Sequence, residues 1–186
     1  MGKIVWDGHP GELDEKTIEK ALAGALPKPL FEFPSSASAV RSALTKRNYA
    51  VALTEAGKLA EADQGAELKK AIQGLIEGRV ASMKSALEAG NFLTASEAGT
   101  ALKKELAGLP EAPEAEKVLA AIEANKDADP VMDAQKKIRA ILEQRLGKRR
   151  EYEKAVADLQ KIEGDLKGTY AAKEAEEARA AIAKRK

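Results

Sequence analysis

From Ser35 onward, apolar residues recur every three to four positions, which is the spacing of one face of an α-helix. Groups rich in glycine, asparagine, aspartate and proline interrupt the pattern, and such groups mark helix ends. The pattern predicts about eight helices with short connections, an arrangement typical of stacked antiparallel hairpins. The apolar stripes of these helices start at Ala37, Tyr49, Leu68, Phe92, Ala115, Val131, Tyr152 and Ala171.

Several residues in this pattern have the chemistry of helix ends. Asn91 and Thr169 are predicted N-caps, because their side-chain oxygens can accept hydrogen bonds from free backbone N–H groups. The pair Asp129-Pro130 predicts another helix start, with the proline in the first turn. Gly74 and Gly78 lie inside the longest predicted helix, where they predict a bend or the close approach of another helix.

Three segments share an aromatic residue placed one turn ahead of an alanine: Asn48-Tyr49-x-x-Ala52, Asn91-Phe92-x-x-Ala95 and Glu151-Tyr152-x-x-Ala155. Each is expected to open a helix, with the ring filling an interhelical gap and the alanine allowing close packing. The segments resemble the second helix of a tetratricopeptide repeat, although they do not recur at that family's fixed period of about 34 residues. The resemblance implies an all-α, tetratricopeptide-like array of antiparallel helical hairpins over residues 35–186.

Residues 1–34 have a different character. A short strand, Lys3–Trp6, is followed by a turn-forming segment, Asp7–Gly11, and by helical spacing over residues 13–25. A proline-rich linker then leads to Pro34. This strand-turn-helix segment has no partner strand within it, so the backbone of the strand must find an edge elsewhere.

Gly2–Pro10, with the sequence GKIVWDGHP, and the following Glu12–Leu22 resemble the last strand and last helix of thioredoxin-like, TlpA-type redoxin domains. The resemblance implies that this chain is the C-terminal part of a longer thioredoxin-like protein located outside the cytoplasm, in the periplasm. The family's Cys-x-x-Cys turn and cis-proline loop would precede Met1. No catalytic residue is therefore carried over, and we expect no signal peptide in this chain.

The composition favours helices and disfavours catalysis. Alanine accounts for 37 of the 186 residues, whereas aromatic residues account for only 4%, so we expect a slender, layered array. The chain has no cysteine and one histidine, which excludes thiol catalysis, iron-sulfur clusters and cysteine-based zinc sites. We therefore predict no catalytic residue, no metal, no cofactor and no small-molecule substrate, and we predict that the chain is not an enzyme.

The charges point to no polyanionic partner. Thirty-one basic residues face 30 acidic ones, and both signs are interspersed as on solvated helix faces. The basic clusters Lys46-Arg47, Lys148–Arg150 and Lys184–Lys186 lie at predicted helix junctions and at the C-terminus, where cations complement the helix dipole. No apolar run is long enough to span a bilayer, so we expect a soluble chain without membrane contact.

The sequence thus predicts a non-catalytic helical module for interaction or dimerisation, with a protein partner or a second copy of itself. Trp6, Tyr49, Phe92 and Tyr152 are the candidate interaction residues. Two alternatives stay open. One is a homo-oligomeric structural protein that pairs through the strand Lys3–Trp6, and the other, which the charge balance disfavours, is a nucleic-acid-binding helical array.

Overall fold

A computed structural model describes residues 34–60, 64–144 and 146–184. In these ranges the chain forms a short 3-10 helix, Ser35–Ala37, followed by eight α-helices, which confirms the predicted all-α class. The strand-turn-helix segment predicted for residues 1–34 lies outside the described residues except for Pro34. The helices are α1 (Ser38–Thr45), α2 (Tyr49–Gly57), α3 (Gly65–Glu88), α4 (Phe92–Glu105), α5 (Ala112–Glu123), α6 (Ala128–Glu143), α7 (Arg149–Asp165) and α8 (Tyr170–Ala183).

Side-chain caps define two of the helix starts as the sequence predicts. The Asn91 side-chain oxygen accepts a hydrogen bond from the backbone N–H of Thr94 at 3.3 Å, at the start of α4. The Thr169 hydroxyl accepts one from the backbone N–H of Ala172 at 3.4 Å, at the start of α8. These bonds satisfy backbone donors that have no partner within their own helix.

Helix α6 begins earlier than the sequence predicts. Its first residue is Ala128 and its N-cap position is Asp127, so Asp129 lies in the first turn and is not the cap. Ala128 is buried in the core, which favours the earlier start. Pro130 is tolerated at the third position because the first N–H groups of a helix make no intrahelical bond.

The three segments with an aromatic residue ahead of an alanine are not equivalent. Tyr49 and Phe92 are the first residues of α2 and α4, as predicted. Tyr152, by contrast, is the fourth residue of α7, which begins at Arg149. The earlier start is stabilised by the Glu151 carboxylate, which accepts backbone hydrogen bonds from the residues just ahead of the helix.

The helices pack as a stacked array. The consecutive pairs α1–α2, α3–α4 and α7–α8 contact each other, and α2 and α4 also pack against α3 and α5, the helices that follow them. Contacts between α3 and α5, between α4 and α6, and between α6 and α8 hold successive layers together. The described side chains buried at the contacts between these helices are mainly aliphatic, and many are alanines.

The core follows this layered arrangement in two main parts and a smaller one. The first part joins α1–α5 and the start of α6, and the second joins the rest of α6 with α7 and α8. Val131, Ala134 and Ala171 form a small cluster between α6 and α8. Alanines on the predicted apolar stripes are buried here, and their small side chains let the backbones of neighbouring helices lie close together. The second part consists of Ile138, Ile141, Ala155, Leu159, Ala175, Ala178 and Ile182.

Gly74 and Gly78 do not mark a close helix approach, which is one of the two alternatives that the sequence predicts for them. Both lie on the exposed side of α3, and a Cβ atom placed on either would have no neighbouring atom within 4 Å. The two glycines therefore lower helix propensity without any compensating contact among the described residues.

We expect the double variant Gly74→Ala/Gly78→Ala to be more stable than the natural chain by about 1 to 2 kcal/mol, because each alanine gains about 0.5 to 1 kcal/mol of helix propensity. Urea unfolding followed by circular dichroism measures this difference. A double variant that is less stable than the natural chain would show that the exposed glycine face of α3 has a packing role.

Candidate functional site

A depression with a partly apolar lining lies between α6 and α7. Helix α7 packs along α8, and α8 packs on α6, whereas α6 and α7 make few direct contacts with each other. Their buried residues converge on a common core with α8. The three helices therefore leave one side open, which we call the α6–α7 groove.

Two adjoining cavities, of about 390 and about 440 Å³, make up this groove. Ile141, Gln144 and Asp158 line both of them. The floor is apolar, since Ile141 and Ala155 are core residues and Ile162 packs against that core. All the lining residues described belong to α6, to α7 or to the connection between them. They are Lys137, Ala140, Ile141, Gln144, Leu146, Glu151, Lys154, Ala155, Asp158, Lys161, Ile162 and Asp165.

Four charged residues form a line along the α7 side of the groove. Lys154, Asp158, Lys161 and Asp165 are separated by four, three and four residues, so they lie on one face of the helix. We call this set the α7 charge stripe. It alternates in sign, from positive at Lys154 to negative at Asp165, and it extends over about 17 Å at 1.5 Å per residue.

The charges of the stripe are exposed, and none of them forms an ion pair with another described residue. Elsewhere on α7, Glu163 is bound by Arg179 of α8 at 2.6 Å. Within the stripe, each aspartate follows a lysine by four residues, which is the less favourable order for an intrahelical pair. The stripe therefore offers alternating charge beside an apolar floor.

Glu151 lies at one end of the groove and has a structural role. Its carboxylate accepts hydrogen bonds from the backbone N–H groups of Gly147 at 2.8 Å and Lys148 at 3.1 Å. These two bonds lower the pKa of Glu151 below its ordinary value, because they stabilise the charged form. Glu151 thus fixes the start of α7 and, with it, the position of the charge stripe.

Three of the four predicted interaction residues lie in the described part of the chain, on different helices. Tyr49 is buried, with 4% of its surface exposed, and its hydroxyl accepts a hydrogen bond of 2.7 Å from Arg79. Phe92 is half-buried and packs between two parts of the core. Tyr152 is half-buried on another side of α7, beside a cavity of about 210 Å³. Trp6 lies outside the described residues, and the interaction roles of all four stay predictions.

Helix polarity accounts for the basic surface between α1 and α4. Lys46, Arg47 and Lys104 line a small depression around Glu105. Lys46 and Lys104 lie at the C-terminal ends of α1 and α4, where the helix dipoles favour cations. Glu105 is bound by Arg47 at 3.2 Å and by Arg79, so this one acid offsets part of the positive charge.

The described part of the chain offers neither a membrane-spanning helix nor a cluster of metal ligands. No helix there is both long and apolar enough to cross a membrane. No group of three or more histidine or acidic side chains in that part is arranged so that it could hold a metal ion.

Sequence reasoning missed the α7 charge stripe. From spacing alone, acidic and basic residues at helical intervals indicate an ordinary solvated face. The detectable signal was the regular alternation of sign at intervals of four, three and four residues, between Lys154 and Asp165. The apolar floor is not detectable from the sequence, because it exists only where the packed helices α6 and α7 lie apart.

Comparison with known proteins adds no assignment: no protein-family model, curated protein or solved structure matches this chain.

Proposed function

We propose that this chain is a non-catalytic helical interaction module that binds a protein helix in the α6–α7 groove. The observation that carries the proposal is the α7 charge stripe next to an apolar floor. A helix laid in a groove packs one face on the floor, and the rim charges set its orientation. The stripe covers about three helical turns, enough to contact such a helix along one face.

The proposal includes the tetratricopeptide-like character of the array and its position after a thioredoxin-like domain. The first rests on the aromatic helix starts at Tyr49 and Phe92 and on the stacked helices. The second rests on the sequence resemblance of Gly2–Leu22, which would place the module outside the cytoplasm. In such a protein the redoxin domain would carry the chemistry and this module would select the partner.

A photo-crosslinking residue placed at Lys161 of the full chain tests the groove in cells that produce the protein. Lys161 lines the groove, whereas Lys126, an exposed lysine between α5 and α6, provides the matched control position. We expect irradiation to give a defined protein adduct from position 161 and background from position 126, with the adduct identified by mass spectrometry.

Two results would contradict the proposed function. One is an equal adduct pattern from both positions, or none from either. The other is a substrate turned over by the purified chain, since the proposal assigns it no reaction.

A further inference from the structure

We infer that the helix bound in the α6–α7 groove is α7 of a second copy of this chain, in an antiparallel, two-fold arrangement. The inference rests on the proposed function and names the partner of that same groove. It starts from the order of charges in the α7 charge stripe, which are positive, negative, positive and negative from Lys154 to Asp165.

This order is complementary to its own reverse. When a second α7 runs antiparallel, Lys154 faces the partner's Asp165 and Asp158 faces the partner's Lys161. The two-fold axis then repeats both pairs, so every charge of the stripe meets an opposite charge. A parallel copy in register would instead place like charges together, so the stripe selects the two-fold arrangement.

The surface of α7 next to the stripe lets a second helix approach. Ala157 and Gly164 are exposed and carry little or no side chain. A Cβ atom on Gly164 would meet no other atom within 4 Å. The two small residues leave room for the backbone of a second α7 to come close to the stripe.

The size of the surface indicates a reversible dimer. A strip as long as the stripe, about 17 Å, and two helix diameters wide, about 20 Å, has a projected area of about 340 Å². A standard interface buries about 800 Å² per partner. We therefore expect a dissociation constant in the micromolar range that rises with salt, because the specific contacts are exposed ion pairs.

Analytical ultracentrifugation of the full chain from about 1 to 500 μM, in low salt, tests for the second copy. We expect the mass to rise with concentration from the 19.8 kDa of one chain towards twice that value. A monomer over the whole range would overturn the inference. The groove would still bind a different protein if position 161 gives a defined adduct, so the two proposals fail independently.

Charge variants test the site of contact. Lys154→Glu/Lys161→Glu makes the stripe wholly acidic, and Asp158→Lys/Asp165→Lys makes it wholly basic. Each variant alone should dimerise at least tenfold more weakly, and an equimolar mixture of the two should form a heterodimer. Circular dichroism checks that each variant stays helical.

One further variant controls for net charge, and another blocks the contact without changing any charge. Lys69→Glu/Lys70→Glu changes the net charge equally on exposed positions of α3 and should leave dimerisation unchanged. Gly164→Trp blocks the approach of α7 without altering any charge and should weaken the dimer at least tenfold. A dimer that survives both charge variants and Gly164→Trp, but is lost in Val5→Pro, would overturn the inference in favour of pairing through the N-terminal strand.

Discussion

Replacing Gln135 with leucine should lower the free energy of unfolding by about 2 to 4 kcal/mol, because buried hydrogen-bonding groups would lose their partner. Gln135 is 2% exposed in the middle of α6. Its side-chain oxygen accepts the backbone N–H of Leu93 at 3.1 Å, and its amide donates to Asn91 at 2.7 Å and to Glu174 at 3.1 Å. One side chain thus connects α4, α6 and α8.

The cost arises mainly at the start of α4. Leu93 is a buried residue in the first turn, where its N–H has no acceptor within the helix. Leucine fills a volume similar to that of glutamine but supplies no acceptor, so that N–H would be buried without a bond. Glu174 and the Asn91 cap are half-buried and can recover part of their hydrogen bonding from water.

Urea unfolding measures the loss, and Gln160→Leu provides the matched control. Gln160 is an exposed glutamine on α7, so the same substitution there should change stability by less than about 0.5 kcal/mol. Hydrogen exchange at the Leu93 amide should accelerate in Gln135→Leu alone. Equal stabilities for the two leucine variants would contradict the role assigned to Gln135.

The Gln135 network shows where sequence reasoning ends. In the sequence, Gln135 lies between the apolar Ala134 and a lysine, as many polar residues of amphipathic helices do. Its partners lie 39 to 44 residues away, and no local pattern joins them. The Asn91 cap was predictable because capping is local, whereas the long-range bond that supports this cap depends on how α4, α6 and α8 pack.

The same distinction applies to Tyr49. Helical spacing predicts that this tyrosine begins α2, and it does. The sequence does not reveal that Arg79, 30 residues later, donates to its hydroxyl and lies 5.8 Å from the centre of its ring. The helices and the caps at Asn91 and Thr169 therefore follow from short-range chemistry, while the interhelical polar contacts require the packed array.

The α6–α7 groove is only partly predictable from the sequence. The α7 charge stripe can be read from Lys154 to Asp165 once a helix is assumed, because four residues at intervals of four, three and four share one face. Its apolar floor depends on α8, which holds both α6 and α7 while these two separate. Periodicity alone gives no information on that separation.

Replacing Gly65 with valine should destabilise the chain by about 3 kcal/mol, because an added side chain has no room at the start of α3. Gly65 is buried, and a Cβ atom there would lie 2.7 Å from the carbonyl oxygen of Ala56 and 2.9 Å from that of Leu59. Both are backbone atoms, so a rotamer change cannot relieve the overlap. The end of α2 would have to move away from α3.

Gly74→Val is the control that separates this overlap from helix propensity. Both variants place valine in α3, but Gly74 is exposed and has no atom within 4 Å of an added Cβ. Valine is a slightly better helix former than glycine, so Gly74→Val should be neutral or weakly stabilising. Urea unfolding of the two variants therefore isolates the cost of the contact, and equal stabilities would contradict it.

The location of the destabilised helices, measured by hydrogen exchange, tests the effect of Gly65→Val independently. Gly65 lies where the packed pair α1–α2 meets α3, whereas most buried residues of α6, α7 and α8 belong to separate parts of the core. Hydrogen exchange in Gly65→Val should therefore accelerate most in α1 and α2 and least in α7 and α8, because each layer of a stacked array depends mainly on its neighbours. If the α6–α7 groove is the interaction site, this variant should keep its binding while its N-terminal helices loosen. A uniform acceleration would instead mean that the eight helices unfold as one cooperative unit.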